Sequence, residues 1–172
     1  MRTPTGDIAM SEWLMLERLE GNDLPLPKYA TDHSVGVDFA ACLNRTSYRI
    51  EQDGTKTPIS GTKTIEFASH ETIMIPLGFK CEFGEEYVLT LHVRSSVGLR
   101  GFLLANGTGI VDPDYRGDLF ACMFNRTTHN LTVEHGQRIV QGILIQFNRP
   151  VILEGPVGMT ERGVKGFGSS GE

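Results

Sequence analysis

Glycine and proline interrupt this chain so often that long helices have little room. Twenty glycines and eight prolines are spread through 172 residues, and between them lie short segments rich in β-branched and apolar residues. In Tyr87-Val88-Leu89-Thr90-Leu91-His92-Val93 the alternation has period two, the mark of a strand buried on one face. Ile139 to Ile145 is more continuously apolar and suits a strand buried on both faces. The nearest approach to a helical period, 12–19, is followed closely by Pro25 and Pro27 and reads equally as helix or strand. Many short strands at regular turn spacing predict an all-β barrel or sandwich with at most one short helix.

Composition narrows the function. Sixteen Lys and Arg stand against twenty-one Asp and Glu, a net charge of −5. General nucleic-acid binders carry clustered or net positive charge, so no direct nucleic-acid binding is expected. No stretch approaches the roughly 20 apolar residues needed to cross a bilayer, so no membrane partner is expected. Cys42, Cys81 and Cys122 are widely spaced and read as small core hydrophobes of a reduced compartment, not as a disulfide framework or zinc site. Residues 1–11 lack the apolar centre of a secretory signal, so the sequons at Asn44, Asn106, Asn125 and Asn130 read as chance matches. The expected location is the cytoplasm, that of the host if the source is viral. Segment 49–69 is polar and reads as an extended hairpin or surface loop. The glycine-rich end, 163–172, reads by composition as a flexible tail.

Five segments carry candidate chemistry. Ser34 to Ala41 places Asp38 in an apolar strand behind Gly36; an aspartate beside a turn is ordinarily a backbone cap. Arg94-Ser95-Ser96 follows the alternating strand and offers a charged fork and two hydroxyls for an anion, or a surface Arg beside a Ser N-cap. Asn106 to Gly117 reads as a tight hairpin whose main chain suits a flat ligand edge. In it Asp112 either orients a water and accepts its proton or, with Asp114, bonds only local backbone; spacing alone favours the second. Gly136 to Gln141 is a turn feeding the most apolar strand. Its Gln141 needs a partner, and Arg138 suits a structural pairing with a carboxylate. Finally, 162–171 combines Arg162, Lys165, exposed glycine N–H groups and Ser169 and Ser170, the makings of a phosphate cradle. Phe167 among those glycines is suited to stacking on a base.

In this order, and with Leu24 to Thr31 as lead-in, the five segments closely resemble the five motifs of the trimeric dUTPase family. The resemblance implies a β jelly roll or distorted barrel, here 1–161, with a C-terminal arm, 162–172, closing over a neighbouring subunit's site. It implies a homotrimer with shared active sites that hydrolyses dUTP to dUMP and pyrophosphate with Mg2+, limiting uracil in DNA and supplying dUMP for dTMP synthesis. By the same resemblance Asp112 would deprotonate the attacking water, and Asp38 would help organise the metal and its waters. Asn106 and Gly109 would read uracil, and Tyr115 would pack on the deoxyribose. Arg94, Ser95, Ser96 and Gln141 would hold phosphates near the scissile bridge. Arg162, Gly168, Ser169 and Ser170 would close on the outer phosphates with Phe167 over the base. Mg2+ would be held mainly by substrate phosphates and waters.

Val93, Val97-Gly98, Val140 and Lys165 depart from the usual motif residues without removing a functional group. Segment 49–69 is longer than a minimal member needs and raises a regulatory protein partner as a second role. The related dCTP deaminases share an Arg-Ser-Ser motif, but their chemistry needs a carboxylic acid in the strand after the third motif, where Cys122 stands here.

Overall fold

The structure, a computed structural model, describes residues 13–161 and 163–164. In order it contains β1 (Leu14–Arg18), β2 (Lys28–Tyr29), β3 (Val37–Ala40), β4 (Ser47–Ile50), β5 (Lys56–Ile59), β6 (Thr64–Phe67), β7 (Thr72–Pro76), β8 (Phe79–Phe83) and β9 (Tyr87–Val93). There follow α1 (Ser95–Leu99), β10 (Phe102–Leu104), β11 (Gly109–Val111), β12 (Phe120–Asn125), β13 (Leu131–Glu134) and β14 (Arg138–Gln146). Two five-stranded sheets run β10-β12-β7-β4-β5 and β11-β9-β14-β3-β2, and the pairs β1-β8 and β13-β6 flank them. This is the all-β jelly-roll type expected, with one short helix among the described residues. No helix among them is long and apolar enough to cross a membrane.

One core joins the sheets. Phe39, Leu89, Leu91 and Ile139 from one sheet and Ile73, Ile75, Phe102 and Met123 from the other belong to the same buried cluster. Phe67 meets Phe102 edge-on, 5.0 Å between ring centroids, an arrangement favoured by the ring quadrupoles. The period-two reading of β9 is met except at its centre: Leu89 and Leu91 are buried, Val88 and His92 on the other face are half-buried, but Thr90 between them is buried too, donating its hydroxyl to the Ile143 carbonyl.

Three readings change. Strand β14 is buried on both faces only at its start, where a register shift between Arg138 and Val140 turns consecutive Ile139 and Val140 inward. Past Gly142 it is one-sided, and Ile145 is 43% exposed. Segment 49–69 is no single surface loop. It enters the β4–β5 hairpin, then turns inward as β6, whose Ile65 and Phe67 are core residues paired against β13. Its free part is thus the exposed stretch around β5, an edge strand that Lys56 and Pro58 guard against pairing. Cys42 and Cys81 are buried as expected, but Cys122 is only half-buried, because strand alternation sends its neighbours Ala121 and Met123 inward instead. Burial pushes all three thiols up, Cys81 to about 11, so they are neutral at physiological pH. The ambiguous stretch 12–19 is a strand, β1, antiparallel to β8.

Candidate active site

The third segment forms one wall of a cavity of about 200 Å3 lined by Asn106, Gly109, Asp112, Tyr115, Asp118 and Leu91 among others. Contrary to the hairpin reading, β10 and β11 do not pair. β10 hydrogen-bonds to β12 in one sheet and β11 to β9 in the other, so Ala105–Thr108 is a corner between sheets. Gly107 makes that corner with φ +71° while donating its N–H to the Leu104 carbonyl at 2.9 Å. Gly109 then lies so close to β9 that an added Cβ would sit 2.9 Å from that of Leu91. The wall is therefore main chain pressed against the core. Asp112 opens a turn closed by Tyr115 N–H to Asp112 C=O at 3.1 Å, with Pro113 at the position where its fixed φ suits such a turn. Its carboxylate is exposed, and among the described residues no local N–H donates to it. The Tyr115 hydroxyl donates to the Asp118 carbonyl at 3.0 Å, laying the ring over Gly117, where a Cβ would fall 2.4 Å from the hydroxyl oxygen.

A second cavity, about 340 Å3, is lined by Asp38, Arg94, Ser95 and Gln141 with Gly36 and Ile143. Cross-strand register explains the grouping. Lys28, Asp38, Gln141 and His92 are directly opposite one another on β2, β3, β14 and β9, and so share the outer face of the sheet. Gly36 leaves room for Gln141, since a Cβ there would meet its Oε1 at 2.9 Å. The Asp38 carboxylate is only 10% exposed and takes both oxygens to guanidiniums: Arg94 Nε at 2.8 Å and Arg138 Nη1 at 3.1 Å. Two arginines on one carboxylate leave a net positive cluster, suited to an anion. Arg94 also opens α1, where Val97 and Gly98 N–H return to its carbonyl. That leaves the N–H groups of Ser95 and Ser96 outside the helix's own bonding. Ser96, one residue beyond the lining Ser95, is exposed.

Among the described residues no group of three His, Cys, Asp or Glu side chains is set to hold a metal ion. Asp38 has both carboxylate oxygens engaged by arginines.

A sequence model of the family described as dUTPase matches residues 57–171, the second to the fifth of the segments above. Two relatives described as deoxyuridine 5'-triphosphate nucleotidohydrolases extend the similarity toward the first. That of Buchnera aphidicola subsp. Baizongia pistaciae is 33% identical over 155 residues, 88% of this chain and 90% of its own length. That of Escherichia coli is 31% identical over 164 residues, 91% of this chain and 94% of its own. The chain belongs to the dUTPase family. Its fold is also that of solved dUTPases. The Streptococcus mutans enzyme matches with a TM-score of 0.60 and 26% identity, covering 81% of this chain and 98% of that one. A mutant of Staphylococcus bacteriophage 80alpha dUTPase with dUpNHpp matches in fold with a TM-score of 0.74 at 20% identity, covering 94% and 99%.

Within this dUTPase chain the structure brings Asn106, Gly109, Asp112 and Tyr115 together, and separately Asp38, Arg94, Ser95 and Gln141. It places them in two separate cavities with no lining residue in common. Arg162, Phe167, Gly168, Ser169 and Ser170 lie outside the described residues. Two supporting side chains escaped the sequence reading. Arg45 pairs with Asp118 at 2.7 Å beside the Tyr115 turn, and His135 ties the turn before β14 to Leu43 and Asp23. Their partners are 73, 92 and 112 residues away, so no local pattern signals them. The pairing of Arg138 with a carboxylate, by contrast, was legible.

Proposed function

We propose that the chain hydrolyses dUTP to dUMP and pyrophosphate, with base and sugar against Asn106, Gly109 and Tyr115 and the phosphates on Arg94, Ser95, Ser96 and Gln141. The observation that carries this reading is Asp112, an exposed carboxylate on the wall of the same cavity as Asn106, Gly109 and Tyr115. Its oxygen takes a proton from a water, whose oxygen bonds to the α-phosphorus as the bond to the α–β bridging oxygen breaks. Water and dUTP thus become dUMP, pyrophosphate and a proton. The main-chain wall at Gly109 excludes a 5-methyl group because it has no room to yield, and the Tyr115 ring rejects a 2′-hydroxyl. Arg94 and the serines take up charge that shifts toward the leaving group. Mg2+, held by the phosphates and reached by Asp38 only through water, would neutralise part of the triphosphate's charge.

The reading includes a homotrimer in which 1–161 forms the jelly roll and 162–172 an arm over a neighbour's site. Two features support it. The base-side and charge-side residues of one chain line separate cavities with no residue in common, and in this reading each is completed by another copy. The outer face of the β11-β9-β14 sheet is also apolar where nothing covers it, with Ile110 59% and Ile145 43% exposed. Val151, Ile152 and Leu153, each more than 80% exposed, add apolar surface for a second copy. A deaminase reading lacks its acid, since β12 reads Phe-Ala-Cys-Met-Phe-Asn.

The test is to incubate the chain with Mg2+ and equimolar dUTP, dCTP, dTTP and UTP and resolve all products by chromatography. Conversion of dUTP alone to dUMP and pyrophosphate is expected. Loss of dCTP with release of ammonia would replace the hydrolase reading with deamination, and no turnover would leave a binding role. Light scattering checks the assembly: Ile110→Arg with Ile145→Asp should give monomers where the parent chain is a trimer.

A further inference from the structure

His135 stands outside both cavities, with both ring nitrogens hydrogen-bonded. Its Nδ1 accepts the Leu43 N–H at 3.0 Å. A backbone N–H can only donate, so Nδ1 carries no proton. The proton of the neutral ring is therefore on Nε2, which donates to Asp23 Oδ1 at 2.9 Å. The side chain is 15% exposed. The turn it belongs to is bonded on all sides: His135 N–H to Lys63 C=O at 2.8 Å, Gly136 N–H to Ala41 C=O at 2.9 Å, and Ala41 N–H to Gln137 C=O at 2.9 Å. Three residues beyond His135 comes Arg138, just before the register shift in β14, with its guanidinium on Asp38 and its carbonyl facing Arg94.

We propose that neutral His135 is a positioning residue for the anion-binding cluster: by accepting the Leu43 N–H it fixes the turn that sets Arg138, and through Arg138 the shared carboxylate Asp38 and Arg94. Protonation undoes this, because a second N–H at Nδ1 would point at the Leu43 N–H and both donors would be left without an acceptor. The charged and titratable groups on the elements packed around the ring are Asp23, Lys63, Arg45, Cys42 and, in its own turn, Glu134. Asp23 sits below the ordinary carboxylate range, held there first by the Asn44 side chain and then by His135. Lys63 lies 4.0 Å from Asp23. The neutral ring thus serves two partners at once, the Leu43 N–H on Nδ1 and Asp23 on Nε2. Its direct line runs to the phosphate side, through Arg138 to Asp38 and Arg94.

The inference rests on the hydrolase reading only for its kinetic readout, so the experiment has two arms. In the first, the full chain is titrated from about pH 8 to about pH 5 while NMR follows the His135 ring, the Leu43 amide and the Arg138 Nε–H. The Leu43 and Arg138 signals should move with the His135 titration in the parent chain. They should not do so in His135→Asn, whose side-chain oxygen can replace Nδ1 but cannot be protonated in this range. Signals of Arg138 that ignore the His135 titration would overturn the proposal whether or not dUTP is turned over. In the second, inhibition by pyrophosphate and kcat/KM for dUTP are measured for the parent, His135→Asn and His135→Phe. At neutral pH His135→Phe should bind pyrophosphate about fivefold more weakly, the scale of one lost hydrogen bond. His135→Asn should recover most of that affinity and lose the acid dependence. Equal behaviour of the two variants, or a parent-like His135→Phe, would refute the role. Absence of dUTP turnover in every form would instead refute the hydrolase reading, leaving the first arm to decide.

Discussion

The two cavities are built by opposite means. The base-side wall is main chain: a corner between sheets, Gly109 jammed against Leu91, and a Tyr115 ring laid over Gly117. The charge side is a row of long side chains on the outer face of one sheet, held in place by ion pairs around Asp38. Backbone packed on a core cannot adjust without moving strands, so it discriminates by shape. Ion-paired side chains near solvent adjust readily, so they attract charge without demanding one geometry. On the proposed function, selectivity and charge neutralisation are thereby given to different materials.

The largest effect that would test this division is at its meeting point with the chemistry. Asp112→Asn should lower kcat by about 10²–10⁴-fold while a non-hydrolysable dUTP analogue still binds, because only the proton acceptor is lost. Near-normal turnover would remove Asp112 from its role. Gly109→Ala should be worse for the base side than any single charge-side change. The added methyl meets Leu91, costs about 1–3 kcal/mol of stability or binding, and raises KM for dUTP while leaving pyrophosphate inhibition intact. Parallel loss of both ligands would show that the two sides are not separately built.

A reference point lies in the core between them. The Cys81 thiol is raised from 9.0 to about 11 by burial. Between those values the unfolded chain has lost the proton that the folded chain keeps, so stability falls as pH rises. The Cys81 part of that fall is about 2 kcal/mol by pH 11, and the fall should be smaller by that amount in Cys81→Ala, as denaturant melts across that window would measure. The smallest effect separates the sides by salt. Raising ionic strength should weaken pyrophosphate inhibition several-fold and leave deoxyuridine inhibition unchanged, because screening acts on charge and not on shape. Equal salt sensitivity would contradict the contrast.

Much of this was legible in the chain, and the failures share a cause. β9 was readable because its alternation is local, and the order of the motifs because each is contiguous. The corner at Asn106–Gly109 was misread because a turn looks the same whether its strands pair together or enter two sheets; only β12 and β9 decide. The hairpin in segment 49–69 was readable, but polar composition masks the alternation in Thr64-Ile65-Glu66-Phe67, whose buried half is core. His135 and Arg45 left no signal because their meaning lies in partners distant along the chain. Phe167 and its neighbours, prominent in sequence, lie outside the described residues.

One short loop, Ala41 to Arg45, touches both constructions. Ala41 and Leu43 tie it to the turn before β14, while Arg45 holds Asp118 and the carbonyl of Glu20. A change at Leu43 therefore reaches the charge side and one at Arg45 the shape side, two positions apart in the chain. Two unrelated recognition tasks thus lean on one five-residue stretch, although none of its residues lines either cavity.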